Sequence, residues 1–370
     1  MALLLSGLLL LSPLDPGSAQ VTPPPAEVED VLEAVDLAAW DDLFSRMEQT
    51  ESWQRPSALI HTIASGEEDT GRLLAWLKER GLGEWNGAVA LCVVSLVTGV
   101  LGALLETVLD GPSLPARRVL SVGLSAVLLV RLLPLIRRGI GCLRGLSSLA
   151  AGLVPLMTGA LLLLGSPQGA ACLGTVGELL LSGCLRWMEG SLLPLALSAG
   201  VLRAADLMGD SVLSVVSRLL FALVRWGIRI LCIGYMVLAG LMGAGAANMD
   251  TLLLRSGKVA AGSLPLVGSI VSDSLGTAAA CLGLVKGALG RTGALLVVAQ
   301  AAGPAGSLFL HGFGLKAASS LLVPLEQREM GTMLSALGEM LIVLGALILA
   351  AGAMLCVALG GAAGLLGGSL

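Results

Sequence analysis

Charged side chains set in apolar surroundings are the residues of this sequence whose types and spacing could do chemistry. The stretch SGKVAAGSLPLVGSIVSDSLGTAAACLGLVKGALG, Ser256 to Gly290, holds Lys258, Pro265, Asp273 and Lys286 in an otherwise apolar run. An ionisable group at membrane depth costs roughly 2.5–3.5 kcal/mol on insertion scales, so each one is a candidate for binding or conducting a charged species. Glu106, Glu178, Arg186, Glu189, Arg225, Arg229, Asp273, Lys286 and Glu339 are such groups. Arg225 and Arg229 stand four apart, on one face of a helix, where they could pair with Glu178 or Glu189 across a bundle. Near helix ends, the long stems of Arg225, Arg229 and Lys286 would instead carry their charges to the headgroups. Asp273 is too short for that.

Pro265 removes a backbone donor, Gly268 weakens a helix, and Ser272, Asp273 and Ser274 offer oxygens to cap a restarted one. This is the pattern of a broken or re-entrant membrane helix near residues 259–289, with Pro265, Gly268, Asp273 and Lys286 as candidate conduit residues and Asp273 capping the second half. A proline kink in one continuous helix is the plainer alternative. Irregular backbone at that depth persists only where it is buried in protein or lines a wet cavity.

No constellation for enzyme chemistry accompanies these charges. His61 and His311 are the only histidines, with no HExxH and no Cys/His cluster, so no metal site is expected. The fragment RSGKV lacks the first Gly and the Ser/Thr of a P-loop, and neither GxSxG nor a Ser/His/Asp arrangement occurs. The reading is therefore of a non-enzyme without cofactor, in which any energy from ATP comes through a partner.

The elements that must position these residues are membrane helices. Of 370 residues, 55% are hydrophobic and 13% charged, with a mean hydropathy of +0.90; soluble domains run at about 25% charged. Apolar runs of spanning length, about 17 to 25 residues, can be drawn at Ala88–Leu109, Val119–Ile136, Leu146–Leu164, Ala170–Leu197, Leu219–Gly245, Val259–Leu289, Ala294–Val323 and Met340–Leu365. Seven or eight membrane segments are expected, all helical because no strand alternation is present. The four arginines of RLLPLIRRGIGCLR sit awkwardly for the positive-inside rule. Residues 119–144 therefore either cross or lie along the cytoplasmic surface with a bend at Pro134, the latter preferred, leaving Leu146–Leu164 as the second crossing. Glycines at small-xxx-small spacing, Gly141/Gly145, Gly283/Gly287, Gly360/Gly364 and Gly364/Gly368, would let helices approach closely, although a chain with 50 glycines produces such pairs by chance.

Charge divides the chain. Residues 1–87 have 15 acidic and 5 basic side chains, net −10, and residues 88–370 have 11 acidic and 17 basic, net +6, together the −4 of the whole. Residues 1–19 read as a signal peptide, with Leu3 to Leu11 as its apolar core and Gly17-Ser18-Ala19 before cleavage, although a basic n-region is missing. Residues 20–87 then form an acidic extracytoplasmic helical region: AEVEDVLEAVDLAAW places Val28, Val31, Leu32 and Val35 on one face. Residues 88–370 form the multi-span domain. All seven cysteines fall in or beside apolar segments, none in CxxC spacing, and read as small buried hydrophobes rather than a disulfide framework.

At TLLLRSGKVAAGSLPLVGSIVSDSLGTAAACLGLVKGALG, Thr251 to Gly290, the chain resembles the stage III sporulation protein AE family. An Arg/Lys lead-in precedes a P-L-V-G core, an Asp shortly before a Thr, and a Leu-Val-Lys-x-x-x-Gly ending. Weaker likeness continues through Lys316 and LLVPL, in LVPLMTGALLLLGSPQGAA, and in the N-terminal order of elements. The low lysine content and strong Gly/Ala/Leu bias depart from the family pattern. The resemblance implies a multi-pass protein of the mother-cell membrane around the forespore, part of a channel or feeding complex needed for endospore development after engulfment. It also implies as partners the other stage III sporulation A operon proteins, including the AA ATPase, and stage II sporulation protein Q, with membrane lipid around the chain and no nucleic acid. The alternative that the intramembrane charges leave open is a stand-alone secondary transporter of a small solute.

Overall fold

Lipid offers no partners for backbone N–H and C=O groups, so a Leu/Ala/Gly/Val chain must satisfy them within helices. The computed structural model describes residues 87, 89–97, 100–101, 114–163, 170–171, 174, 177–205, 211–262, 268–322 and 328–364, and among these there is helix and no strand. Its elements are α1 (Leu114–Leu163), α2 (Glu178–Trp187), a π-turn (Met188–Leu192), α3 (Leu193–Ala205), α4 (Ser211–Gly262), α5 (Gly268–Leu322) and α6 (Arg328–Gly364). The expected signal peptide and nearly all of the acidic region lie outside the described residues, as does half of Ala88–Leu109.

Four segments among the described residues are long and apolar enough to cross a membrane: Val130–Leu156, Leu213–Ala239, Thr292–Leu322 and Met330–Leu359. The first corrects the sequence reading. Val119–Ile136 and Leu146–Leu164 are not separate pieces with a bend at Pro134, because α1 runs unbroken through both Pro134 and Pro155. A proline already holds a helical φ and removes only one backbone bond, and the leucines and valines around it carry the helix on. Within Ala170–Leu197 residues 178–197 are continuously helical, with the π-turn set between α2 and α3. The break anticipated around Pro265 falls on residues 263–267, which lie outside the described residues; the helices described on either side have 52 and 55 residues.

Helix α6 is the axis of the bundle. It packs along α5 and touches α1, α2, α3 and α4 as well; Leu337, Leu341, Leu344, Leu347, Ile348 and Met354 are fully or almost fully enclosed. The α5/α6 contact is built on small residues at a seven-residue period. A Cβ on Gly338 would lie 2.7 Å from the Gly312 carbonyl oxygen, one on Gly331 3.3 Å from that of Ser319, and one on Gly345 3.3 Å from that of Ala305. Farther along, a Cβ on Gly352 would meet that of Ala301 at 3.0 Å. As α6 numbers rise, α5 numbers fall, so the helices are antiparallel, and glycine lets carbonyls of α5 occupy the space a side chain would fill. In lipid, where apolar contact alone brings helices little advantage, such close approach is what holds them together.

The same device recurs around α6. Gly139 of α1 leaves room for Leu344 and Leu308, each 3.0 Å from the absent Cβ, and Gly200 of α3 leaves room for Met340. By contrast, Gly141 and Gly145, picked out by their spacing of four, have nothing within 4 Å and are not a packing site; the other spaced pairs lie outside the described side chains.

Gly338→Val should therefore destabilise the full-length protein by about 1–3 kcal/mol, read as unfolding at lower SDS fraction in mixed micelles. Gly141→Ala should stay within about 0.5 kcal/mol of the parent.

Candidate intramembrane charged site

Within apolar helices every polar group needs a local partner, and most hydroxyls find one on their own helix. Ser148, Ser182, Ser198, Ser217 and Ser320 each donate to the carbonyl three residues back, and Thr158 to that of Val154 at 2.7 Å. Pro304 has no N–H to offer the Gln300 carbonyl four residues earlier. Cys142 of α1 supplies a replacement, its Sγ 3.7 Å from that oxygen. Buried His311 sets Nδ1 2.7 Å from the Ser307 carbonyl oxygen; a carbonyl only accepts, so Nδ1 carries the proton. Thr292 Oγ1 alone, among the buried side-chain oxygens described, has no hydrogen-bond partner.

Among the described residues two ion pairs join helices. Arg144 Nε of α1 donates to Glu189 Oε1 of the π-turn at 3.1 Å, and Arg225 Nη1 of α4 meets Glu339 Oε1 of α6 at 2.9 Å. The expected partners of Arg225 were Glu178 and Glu189; it takes Glu339 instead, because α4 lies along α6 and Glu189 is occupied by Arg144. The π-turn shapes the first pair. Its last bond runs from the Leu193 N–H to the Met188 carbonyl, a wider loop than the α-helical one, immediately before Pro194. Such bulges re-aim side chains and recur at functional sites.

Contacts fix the level of these groups along α6. Cys142 reaches the Gln300 carbonyl, and the neighbouring Ala301 faces Gly352 in the middle of the α6 apolar run. Arg144, two residues beyond Cys142, and its partner Glu189 belong to that layer. Gly200 meets Met340 nearer the other end of α6. Leu192 lies between Glu189 and Gly200 and packs where a Cβ of Gly227 would be, 2.7 Å away. Arg225 and Arg229, which flank Gly227, are thus at the level of residues 340–352, inside the candidate span Met330–Leu359. The pairs also look outward: the Arg144 and Glu189 side chains are 68% and 32% accessible, and those of Arg225 and Glu339 51% and 27%.

The sequence-predicted conduit residues lie outside what the structure describes of side chains. Pro265 lies outside the described residues, and the side chains of Asp273, Lys286 and Glu106 are likewise outside them. Asp273 is not the first cap of a restarted helix, since α5 has already begun at Gly268: once past Pro265, nothing in Gly268-Ser269-Ile270-Val271 prevents helix. Glu178 opens α2, and Arg229 lies one turn beyond Arg225 on α4. Arg144 and Glu339 complete the two pairs; the Gly190 and Pro194 near Glu189 were the available sign of an irregular turn.

Long apolar helices joined by outward ion pairs define the class: a multi-span α-helical membrane protein. The family model for stage III sporulation protein AE matches residues 67–364, most of the chain, and the protein belongs to that family. No curated protein and no solved structure matches it.

If the second pair stabilises the bundle, Arg225→Glu should lower the SDS midpoint and Glu339→Arg on top of it should restore most of the loss, with a coupling of about 1 kcal/mol. Additive losses in the double variant would show that the pair contributes nothing.

Proposed function

We propose that this protein is a membrane subunit of the complex that connects mother cell and forespore, required for endospore development after engulfment. Family membership over residues 67–364 is the observation that carries the reading. A bundle whose inner packing is complete around α6, yet whose charged pairs face outward at apolar depth, supports a subunit rather than a solitary protein. The family resemblance supports the mother-cell membrane as its location, an extracytoplasmic N-terminal region, and as partners the other operon products, their ATPase and stage II sporulation protein Q. With no P-loop in the sequence, nucleotide energy would enter through that ATPase.

A clean deletion should arrest sporulation after engulfment, and the tagged protein should co-purify with the other sporulation membrane proteins; normal spores from the deletion strain would overturn the proposal. Ion-coupled solute uptake by the purified protein alone in liposomes, abolished by Asp273→Asn, would establish the transporter alternative.

A further inference from the structure

Helix α4 is the least enclosed of the four spans. Trp226, Ile230 and Ile233 are 62%, 63% and 65% exposed, as a lipid-facing or partner-facing edge requires. On the flank of that edge, Arg218, Arg225 and Arg229 share one face at spacings of seven and four. Arg225 has Glu339; Arg229 is exposed and has no ion-pair partner among the described residues. No described carboxylate is free to serve it nearby: Glu189 is held by Arg144, and Glu178 is at the other end of α2, roughly 16 Å along the helix axis from Glu189. Among described side chains ten are Arg or Lys and three are Glu, a cationic excess that no other described side chain balances.

Depth decides what can balance it. Gly227, between Arg225 and Arg229, packs on Leu192, which places Arg229 alongside residues 340–352 of α6. The middle of a bilayer is about 15 Å from either headgroup layer, beyond the reach of an arginine stem. An arginine held there without an anion is costly, whereas a carboxylate on a neighbouring helix meets it at the same depth. We propose that the α4 edge bearing Arg229 docks a transmembrane helix of a partner protein that carries an Asp or Glu at mid-membrane, its apolar flanks lying on Trp226, Ile230 and Ile233. The proposal rests on the reading of the chain as a subunit of a membrane complex, and it names the surface and the chemistry through which a partner attaches.

The test uses the full-length protein in neutral phosphatidylcholine vesicles with a synthetic Leu/Ala transmembrane peptide bearing one central Asp, and the same peptide with Leu there instead. Association is followed by energy transfer between dyes on protein and peptide. The Asp peptide should bind about tenfold or more tightly than the Leu peptide. That difference should vanish in Arg229→Leu, partly survive in Arg229→Lys, and persist in Arg218→Leu. Arg229 is exposed and has no ion-pair partner among the described residues, so Arg229→Leu should keep the parental SDS midpoint, confirming that the variant is folded. Equal binding of the two peptides to the parent protein would overturn the proposal. So would an Arg229→Leu variant that binds the Asp peptide normally; if, in parallel vesicles containing phosphatidylglycerol, it also loses the enrichment of that lipid seen around the parent, Arg229 is a lipid-headgroup site. Because the probe is synthetic, a negative result bears on this surface alone, and the sporulation role is judged separately by the deletion.

Discussion

The close approach of α5 and α6 is the constraint on which the rest of the structure depends. Water is not present to drive Leu against Leu in a bilayer, so helices associate through tight packing and interhelical polar contacts. Gly331, Gly338, Gly345 and Gly352 give α6 a bare stripe along one side, and the backbone of α5 fills it. That frees the other sides of α6 to carry large side chains, and the neighbouring helices receive them: Leu344 over Gly139, Met340 over Gly200. The abundance of glycine in this chain is thus partly a packing device, matched position by position to a bulky residue or a carbonyl on the facing helix.

Charge placement follows from the same geometry. With α6 enclosed, its one acidic side chain in the span, Glu339, reaches Arg225 at the bundle's edge, and α1 reaches the π-turn through Arg144 and Glu189. These pairs sit where an isolated ion would be costly, yet they are half open to the surroundings.

Much of this was legible in the sequence, and the failures have physical causes. Helical class followed from apolar runs without strand alternation, and the family from the Pro265–Asp273 block. The seam at α6 escaped a search for glycines four apart because the antiparallel contact repeats every seven residues; Gly141 and Gly145 satisfied the motif and face open space. Pro134 and the clustered arginines read as a bend, yet one missing backbone bond is too small an effect to end a leucine-rich helix. Ion-pair partners were out of reach altogether, since the choice of Glu339 over Glu189 for Arg225 depends on how α4 lies across α6, and no local pattern encodes that. Asp273 shows the opposite hazard: its cap-like neighbours Ser272 and Ser274 suggested a helix start, while the described helix already runs from Gly268 through Asp273.

Disulfide cross-linking in intact membranes tests the α5/α6 seam most directly. In a cysteine-free background, Ser319→Cys with Gly331→Cys, and Ala305→Cys with Gly345→Cys, should oxidise rapidly to intramolecular cross-links, because each pair faces across the seam. Ser319→Cys with Gly345→Cys, out of register by two turns or more, should not. Efficient cross-linking of the out-of-register pair, with none in the two facing pairs, would contradict the antiparallel glycine seam and the bundle built on it.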